Sequence, residues 1–357
     1  MTALGAPPHH TLPVAALSSC KASNPAQQQR VMQTVEKLWE ANFSAELGPI
    51  VCTGSDGDSI RRGVLYRMAN KVPSTILSGF ELMDKTKSEG MVIQVFDLKH
   101  NLKRFSCRDI NTKGVQIQEK EAIPLNGAVN KHLFAMYDSD GQYTTMFDPN
   151  DRQNVPAAAR MHRTIAAVSE FDGIDHNPSM HSARMDLQVR AAISKQLVAV
   201  PFDKSKGIGE LLRRLSCVAH LMLILHRTNG TAFTTSQLYH GTQALVRGVF
   251  FVVLQAQAHC RGEKMHLSQI GTDGLETLFA VVRTLTHSRN VDLKELGDRL
   301  GAAEALEKVY KEHRGWKRAS KRLNGTMDHM NAAWWDTGAA GNSDVREVDV
   351  QLSWENG

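Results

Sequence analysis

Between Val155 and His313 the chain is almost continuously helix-periodic. Ala157–Val168, Met185–Leu197, Ile208–Arg227, Ser236–His259, Leu275–Thr286, Leu293–Leu300 and Ala303–His313 each read as a helix, because apolar residues recur every three or four positions. A helical block of this size does not fit an alternating strand–helix repeat. The strands must come from the flanks. Ile50–Cys52 runs into a Gly-rich turn, and Met91–Phe96 is almost unbroken apolar sequence, as expected of a central strand covered on both faces. Near the C-terminus Val348, Val350, Leu352 and Trp354 alternate with polar residues, which predicts a half-buried edge strand. The expected fold class is α/β, a sheet interrupted by, or packed on, a large, mainly helical module.

The expected organisation is an irregular lead-in over 1–23, a first part of the sheet core over 24–110, a mainly helical insertion over 111–235, and a second part of the core over 236–357. Within the lead-in, Leu12–Leu17 is a candidate short strand. Gln27–Asn42 predicts an amphipathic helix, and Ile60–Ala69 another that Val72-Pro73 stops. No period is sustained over 105–150, where Asn126-Gly127 and Asp138–Gly141 read as turns, and 172–183 reads as a polar loop.

Composition narrows the class. The 357 residues are 42% hydrophobic and 22% charged, which describes a soluble globular protein with a real core. Aromatics supply only 6%, so aliphatic side chains must do most of the packing. The net charge of +5 points weakly towards an anionic partner and settles nothing alone. Five cysteines, at 20, 52, 107, 217 and 260, form no CxxC pair and suit reduced thiols in an intracellular compartment better than a disulfide framework. The N-terminus lacks the basic and apolar regions of a signal peptide. The most apolar stretches, Cys217–Leu225 and Val249–Ala258, are too short to span a bilayer, so no membrane partner is expected.

The chemistry-bearing residues cluster at the strand ends. Asp56 and Asp58 straddle Gly57 after the first strand, and Asp97 ends the second. Alone, such residues most simply cap helices and solvate turns. If the strands are neighbours, however, Asp56 and Asp97 can converge, and oxygen ligands of this kind are what Mg²⁺ or Mn²⁺ requires. Glu276 is the best third carboxylate. Its plainer role is to complete a capping box with Asp273. Cations follow each acid: Arg61 and Arg62; Lys99, His100, Lys103 and Arg104; Arg283. A further patch, Lys317, Arg318, Lys321 and Arg322, lies near the C-terminus. Such groups could hold a phosphodiester backbone, or simply be solvated surface. His176, His181 and His220 lack zinc spacing, and His220, inside Val218–Leu225, reads as a buried hydrogen-bonding histidine. Gly207-Ile-Gly209 is not a phosphate loop, and Ser55 and Ser59 have no nucleophile-elbow setting.

Several stretches together resemble the transposon-derived proteins of mushroom-forming fungi, which are distantly similar to P-element and THAP-associated transposases. Gly48–Arg62 resembles that family's G-P-x-x-x-x-x-T/S-D-G-D-x-x-R-R. Phe96-Asp-Leu-Lys-His-Asn-Leu-Lys-Arg104 resembles its F-D-x-K-H-x-x-K-R. Asp148–Pro156 resembles D-P-x-D-x-Q-D-V-P, with Asn154 in place of the last acid. Leu238–Val246 and Ile270–Phe279 resemble the block that carries the family's helical glutamate, and Asp328-His-Met-Asn331 and Val345–Trp354 are similar to its closing segments.

The resemblance implies an incomplete RNase H-like mixed sheet with a large, mainly helical insertion, catalytic positions at Asp56 and Glu276 with Asp97 assisting, Mg²⁺ or Mn²⁺ as cofactor, DNA as partner, and the nucleus as location. The family carries a further region before the position of Met1, including the strand expected to hold its first catalytic aspartate. Residues 1–47 contain no acid before Glu36. The expectation is therefore an N-terminally truncated, catalytically inactive relic with weak, non-specific DNA binding. Its exposed sheet edge would be covered by self-association or by an N-terminal partner. An active Mg²⁺-dependent nuclease or strand transferase and a structural interaction module are the alternatives.

Overall fold

The computed structural model describes residues 24–50, 52–55, 62–64, 77–83, 93–117, 124–138, 141–148, 154–171, 178–203, 205–259, 265, 267, 270–285, 291–313, 316 and 344–357. Leu12–Leu17, the turn Asp56–Ser59 and most of Ile60–Ala69 lie outside these residues. So does the segment Lys317–Arg322.

Two short strands form the sheet. Strand β1, Cys52–Ser55, pairs in parallel with β2, Ile93–Phe96, in the register Cys52↔Ile93 to Ser55↔Phe96. The pairing continues one step further, where the Asp97 amide donates to the Ser55 carbonyl at 2.9 Å. Ile93, Val95 and Phe96 are buried, in keeping with a covered strand. The described helices are α1 (Pro25–Asn42), α2 (Ser44–Leu47), α3 (Leu98–Asp109), α4 (Gly127–Tyr137), α5 (Val155–Glu170), α6 (Pro178–Phe202), α7 (Ile208–Asn229), α8 (Ser236–His259), α9 (Asp273–Thr284), α10 (Leu293–Glu312) and α11 (Val350–Glu355).

The long helix α8 crosses β2 at a glycine. A Cβ on Gly248 would lie 2.8 Å from Val95 Cγ2, so the close approach of helix to strand depends on that missing methyl. Gly248→Ala is expected to lose about 1–3 kcal/mol of stability through overpacking. Val95→Ala in the same chain should recover part of it, which chemical denaturation of the single and double variants would measure.

The C-terminal edge strand is overturned. Val350–Glu355 is a helix, with the Leu352 amide donating to Asp349 Oδ1 at 2.8 Å as its cap. Its buried residues are Val350, Ser353 and Trp354, while Leu352 is exposed, a spacing of three and four rather than two. Trp354 packs edge-on to Phe80 and Phe250 and donates its indole N–H to the Glu81 carbonyl at 2.7 Å. The described sheet is accordingly two-stranded and parallel, and among the described residues no C-terminal strand joins it.

Other expectations are corrected too. Residues 105–150 contain α4 and the second half of α3. Asn126 caps α4 by accepting from the Ala128 and Val129 amides, both at 3.0 Å, instead of forming a turn. Helix α6 begins at Pro178, inside the expected loop. Leu293–Leu300 and Ala303–His313 are one helix, α10. Among the described residues no helix is long and apolar enough to cross a membrane.

Helices α3, α5 and α6 are joined by a buried polar network. Arg190 of α6 donates from Nε to Asp109 Oδ1 at 2.9 Å and from Nη2 to Oδ2 at 2.7 Å, and its Nη1 donates to Ser194 Oγ at 2.7 Å. The guanidinium also lies 4.9 Å from the centre of the Phe105 ring. His162 of α5 is fully buried, with Nε2 3.2 Å from the Leu102 carbonyl and Nδ1 3.0 Å from Ser194 Oγ. A carbonyl can only accept, so the proton sits on Nε2 and Nδ1 accepts from the serine. The C-terminal half of α3 is thereby held rigidly, and its N-terminus is delivered to the end of β2.

Candidate functional site

Parallel strands place their carboxyl ends at one edge, where a following helix begins. Asp97 occupies that position after β2, as the N-cap of α3. Its side chain is 3% exposed. Oδ1 accepts from the His100 amide at 2.9 Å and stands 3.2 Å from His100 Nδ1. Oδ2 accepts from the Thr272 amide at 2.9 Å and from Thr272 Oγ1 at 3.1 Å. A carboxylate offers about four lone-pair directions, and here four donors face them. Burial alone would raise the Asp97 carboxyl, but the bonds from the His100 ring and from the Thr272 and His100 amides outweigh it. Together with the neighbouring imidazole they hold it well below the usual carboxylate range.

Glu276 comes to the same place from α9. Its Oε1 lies 3.5 Å from Thr272 Oγ1 and 3.8 Å from His100 Nε2. Because Asp97 can only accept, His100 Nδ1 carries a proton and Nε2 faces Glu276. That gap is longer than a hydrogen bond. Glu276 is half exposed, so the arrangement is a buried, saturated carboxylate and an accessible one with an imidazole between them.

The capping box expected from Asp273 and Glu276 is replaced by a different arrangement. Helix α9 starts at Asp273, and the residue at its cap, Thr272, makes no side-chain cap bond to the helix. Its hydroxyl turns to Asp97 instead. Gly271 makes this possible, since a Cβ there would fall 2.7 Å from Asp97 Oδ2. Gly54 of β1 lies alongside, and a Cβ on it would meet the Gly271 carbonyl at 3.4 Å. Gly271 and Thr272 are the site residues that sequence reasoning missed. A Gly-Thr pair immediately before a helix was the available signal, and it reads equally well as an ordinary turn.

Of the expected site residues, Asp97, His100 and Glu276 are brought together. Lys99, Lys103 and Arg104 lie partly buried along α3, with Arg104 beside Gly241 of α8. Arg62 is partly buried in a short helical segment, and Arg283 is exposed in the last turn of α9. Asp56, Arg61, Lys317, Arg318, Lys321 and Arg322 lie outside the described residues. His181 is exposed on α6. His220 is partly buried, with Nδ1 3.2 Å from Ser216 Oγ and its ring against Trp354.

The expected Mg²⁺ or Mn²⁺ can be tested against these atoms. Magnesium takes oxygen ligands in near-octahedral array. Both oxygens of Asp97 are already filled by protein donors, and an imidazole stands between Asp97 and Glu276. As arranged, Asp97, His100 and Glu276 do not fit a divalent ion shared by the two carboxylates. Among the described residues no group of three acidic, histidine or cysteine side chains is gathered in metal-binding geometry.

No family model matches the chain, and no curated protein matches it in sequence. Among solved structures, the Drosophila P element transposase strand transfer complex contains a chain of similar fold. The TM-score is 0.53 at 10% identity, over 85% of this chain and 66% of that one. The chain thus spans just under two thirds of the transposase chain it matches, and at that identity the likeness is one of fold. The fold is transposase-like.

Proposed function

We propose that the chain is a transposase-derived protein with an RNase H-like core, no longer a strand-transfer enzyme, that engages DNA phosphates weakly and without sequence preference. The observation that carries the reading is the meeting of Asp97 and Glu276 around the hydroxyl of Thr272, which is 175 residues from Asp97 in sequence. This meeting stands at the carboxyl ends of parallel strands in a transposase-like fold. Loss of catalysis is supported by the state of Asp97, whose oxygens are given to the protein's own donors. DNA binding is supported by the cations that follow the acids along the same helices, Lys99 and Lys103 on α3 and Arg283 in the last turn of α9. The P element transposase structure is of a strand transfer complex, and DNA is the partner that likeness suggests. A nuclear location goes with that partner.

Phosphate binding of this kind is set by counterion release. With three phosphate contacts, affinity for a mixed-sequence duplex should fall roughly 40-fold between 50 and 200 mM salt, and should be the same for unrelated duplexes. Fluorescence anisotropy with the full chain measures both. Replacing Lys99 and Lys103 together by Glu should remove most of the binding. Absence of binding at low salt would overturn the nucleic-acid reading and favour an interaction module.

A further inference from the structure

The described residues form two apolar cores. The larger unites the sheet with α3 to α8 and α11. The smaller lies within the α9–α10 hairpin, around Leu278, Val281, Val282 and Ala303. The change from one to the other takes two residues. Ile270 is buried in the main core, Gly271 and Thr272 follow, and α9 begins at Asp273. A hairpin with its own core and so short a tether needs something to fix its angle to the main body. Gly271 and Thr272 are the residues that meet Asp97.

We propose that Asp97 is a positioning residue, a latch that docks the α9–α10 hairpin, and Glu276 with it, onto the strand ends. The main-body side of the latch is rigid. Asp97 is fixed by the His100 amide and ring, and α3 behind it is tied at its other end by Asp109 to Arg190. The hairpin side brings two donors, the amide and hydroxyl of Thr272, to one oxygen. Only a group with no hydrogen of its own satisfies all four donors. An asparagine would turn its NH₂ towards donors on one side or the other. The glycine at 271 lets the backbone come close enough, because any side chain there would strike Oδ2. The latch does not depend on the transposase reading, since it concerns how two packed bodies are held.

Amide-resolved hydrogen exchange on the full chain tests it. In Asp97→Asn the Thr272 amide and the first turn of α9 should exchange on the order of 10- to 100-fold faster, the loss of charge-assisted bonds. Amides of α5 to α8 should keep their rates. Thr272→Val, which keeps the amide and removes the hydroxyl, should accelerate the same amides roughly 5-fold, and Thr272→Ser should restore the wild-type rate. Unchanged exchange at Thr272 in Asp97→Asn, or equal acceleration throughout α5 to α8, would overturn the latch. If Asp97→Asn does not fold, the Thr272 pair decides: no acceleration in the valine variant, or no restoration in the serine one, also overturns it.

Discussion

Arg190→Met is expected to destabilise the chain by about 3–5 kcal/mol, because it leaves the buried carboxylate of Asp109 without its counter-charge. The two side chains are 2% and 1% exposed, and two parallel bonds join them. Burial pushes the Asp109 carboxyl up while the guanidinium pulls it down. Removing the guanidinium leaves only the first effect, and the cavity adds to the loss. The arginine also donates to Ser194 and lies over Phe105, so α3 and α6 lose their shared fixture. The double variant Asp109→Leu with Arg190→Met should recover most of the loss, since the pair as a whole is worth little against well-packed apolar groups. Denaturant midpoints of the two single variants and the double form the cycle.

The second large effect is a dependence on pH. Complete burial, with the nearby Arg190 charge, lowers His162 from the ordinary imidazole value of about 6.5 to about 3, although its bond to the Leu102 carbonyl favours the charged form. The folded chain keeps this ring neutral while the unfolded chain protonates it. The stability it contributes is therefore fully present above the unfolded value and is lost as pH falls from about 6.5 towards 3. Within that window the slope from this one group approaches about 1.4 kcal/mol per pH unit. Asp97, with its lowered carboxyl, and Asp109 also titrate in acid, so the group is isolated by difference. His162→Gln should be less stable than wild type at pH 7, and the gap should close as pH falls through the window. A gap that stays constant would mean that His162 does not titrate differently in the two states.

Helix α3 shows why part of the fold was hidden in the sequence. Its buried positions are Leu98, Asn101, Leu102, Phe105, Ser106 and Asp109, a clean helical repeat in which half of the members are polar. Each of these polar groups is satisfied: Asn101 by Thr242, Ser106 by the Ala158 carbonyl, Asp109 by Arg190. Apolar periodicity cannot register such a face. The opposite error arose at Val348–Trp354, where an alternating pattern concealed an Asp-capped helix of six residues. Leu293–Leu300 and Ala303–His313 read as two helices, yet α10 passes straight through Gly301, where a Cβ would meet nothing within 4 Å. Uniformly apolar or strongly amphipathic segments, such as β2, α7 and α8, were legible because burial and pattern agree.

The candidate site was legible in its residues and not in its bonds. Asp97, His100 and Glu276 stood out in the sequence as acids and a cation beside strand and helix ends. That Asp97 would be spent on Thr272 depends on a glycine, a hydroxyl and a two-residue tether far away in the chain. No local pattern carries that information.

The most direct measurement is nicking of supercoiled DNA by the full chain in Mg²⁺ or Mn²⁺, alongside Glu276→Gln as control. The proposed reading predicts salt-sensitive binding with no nicking above the level of the control. Metal-dependent nicking by the wild-type chain, abolished in Glu276→Gln, would contradict it and establish an active nuclease.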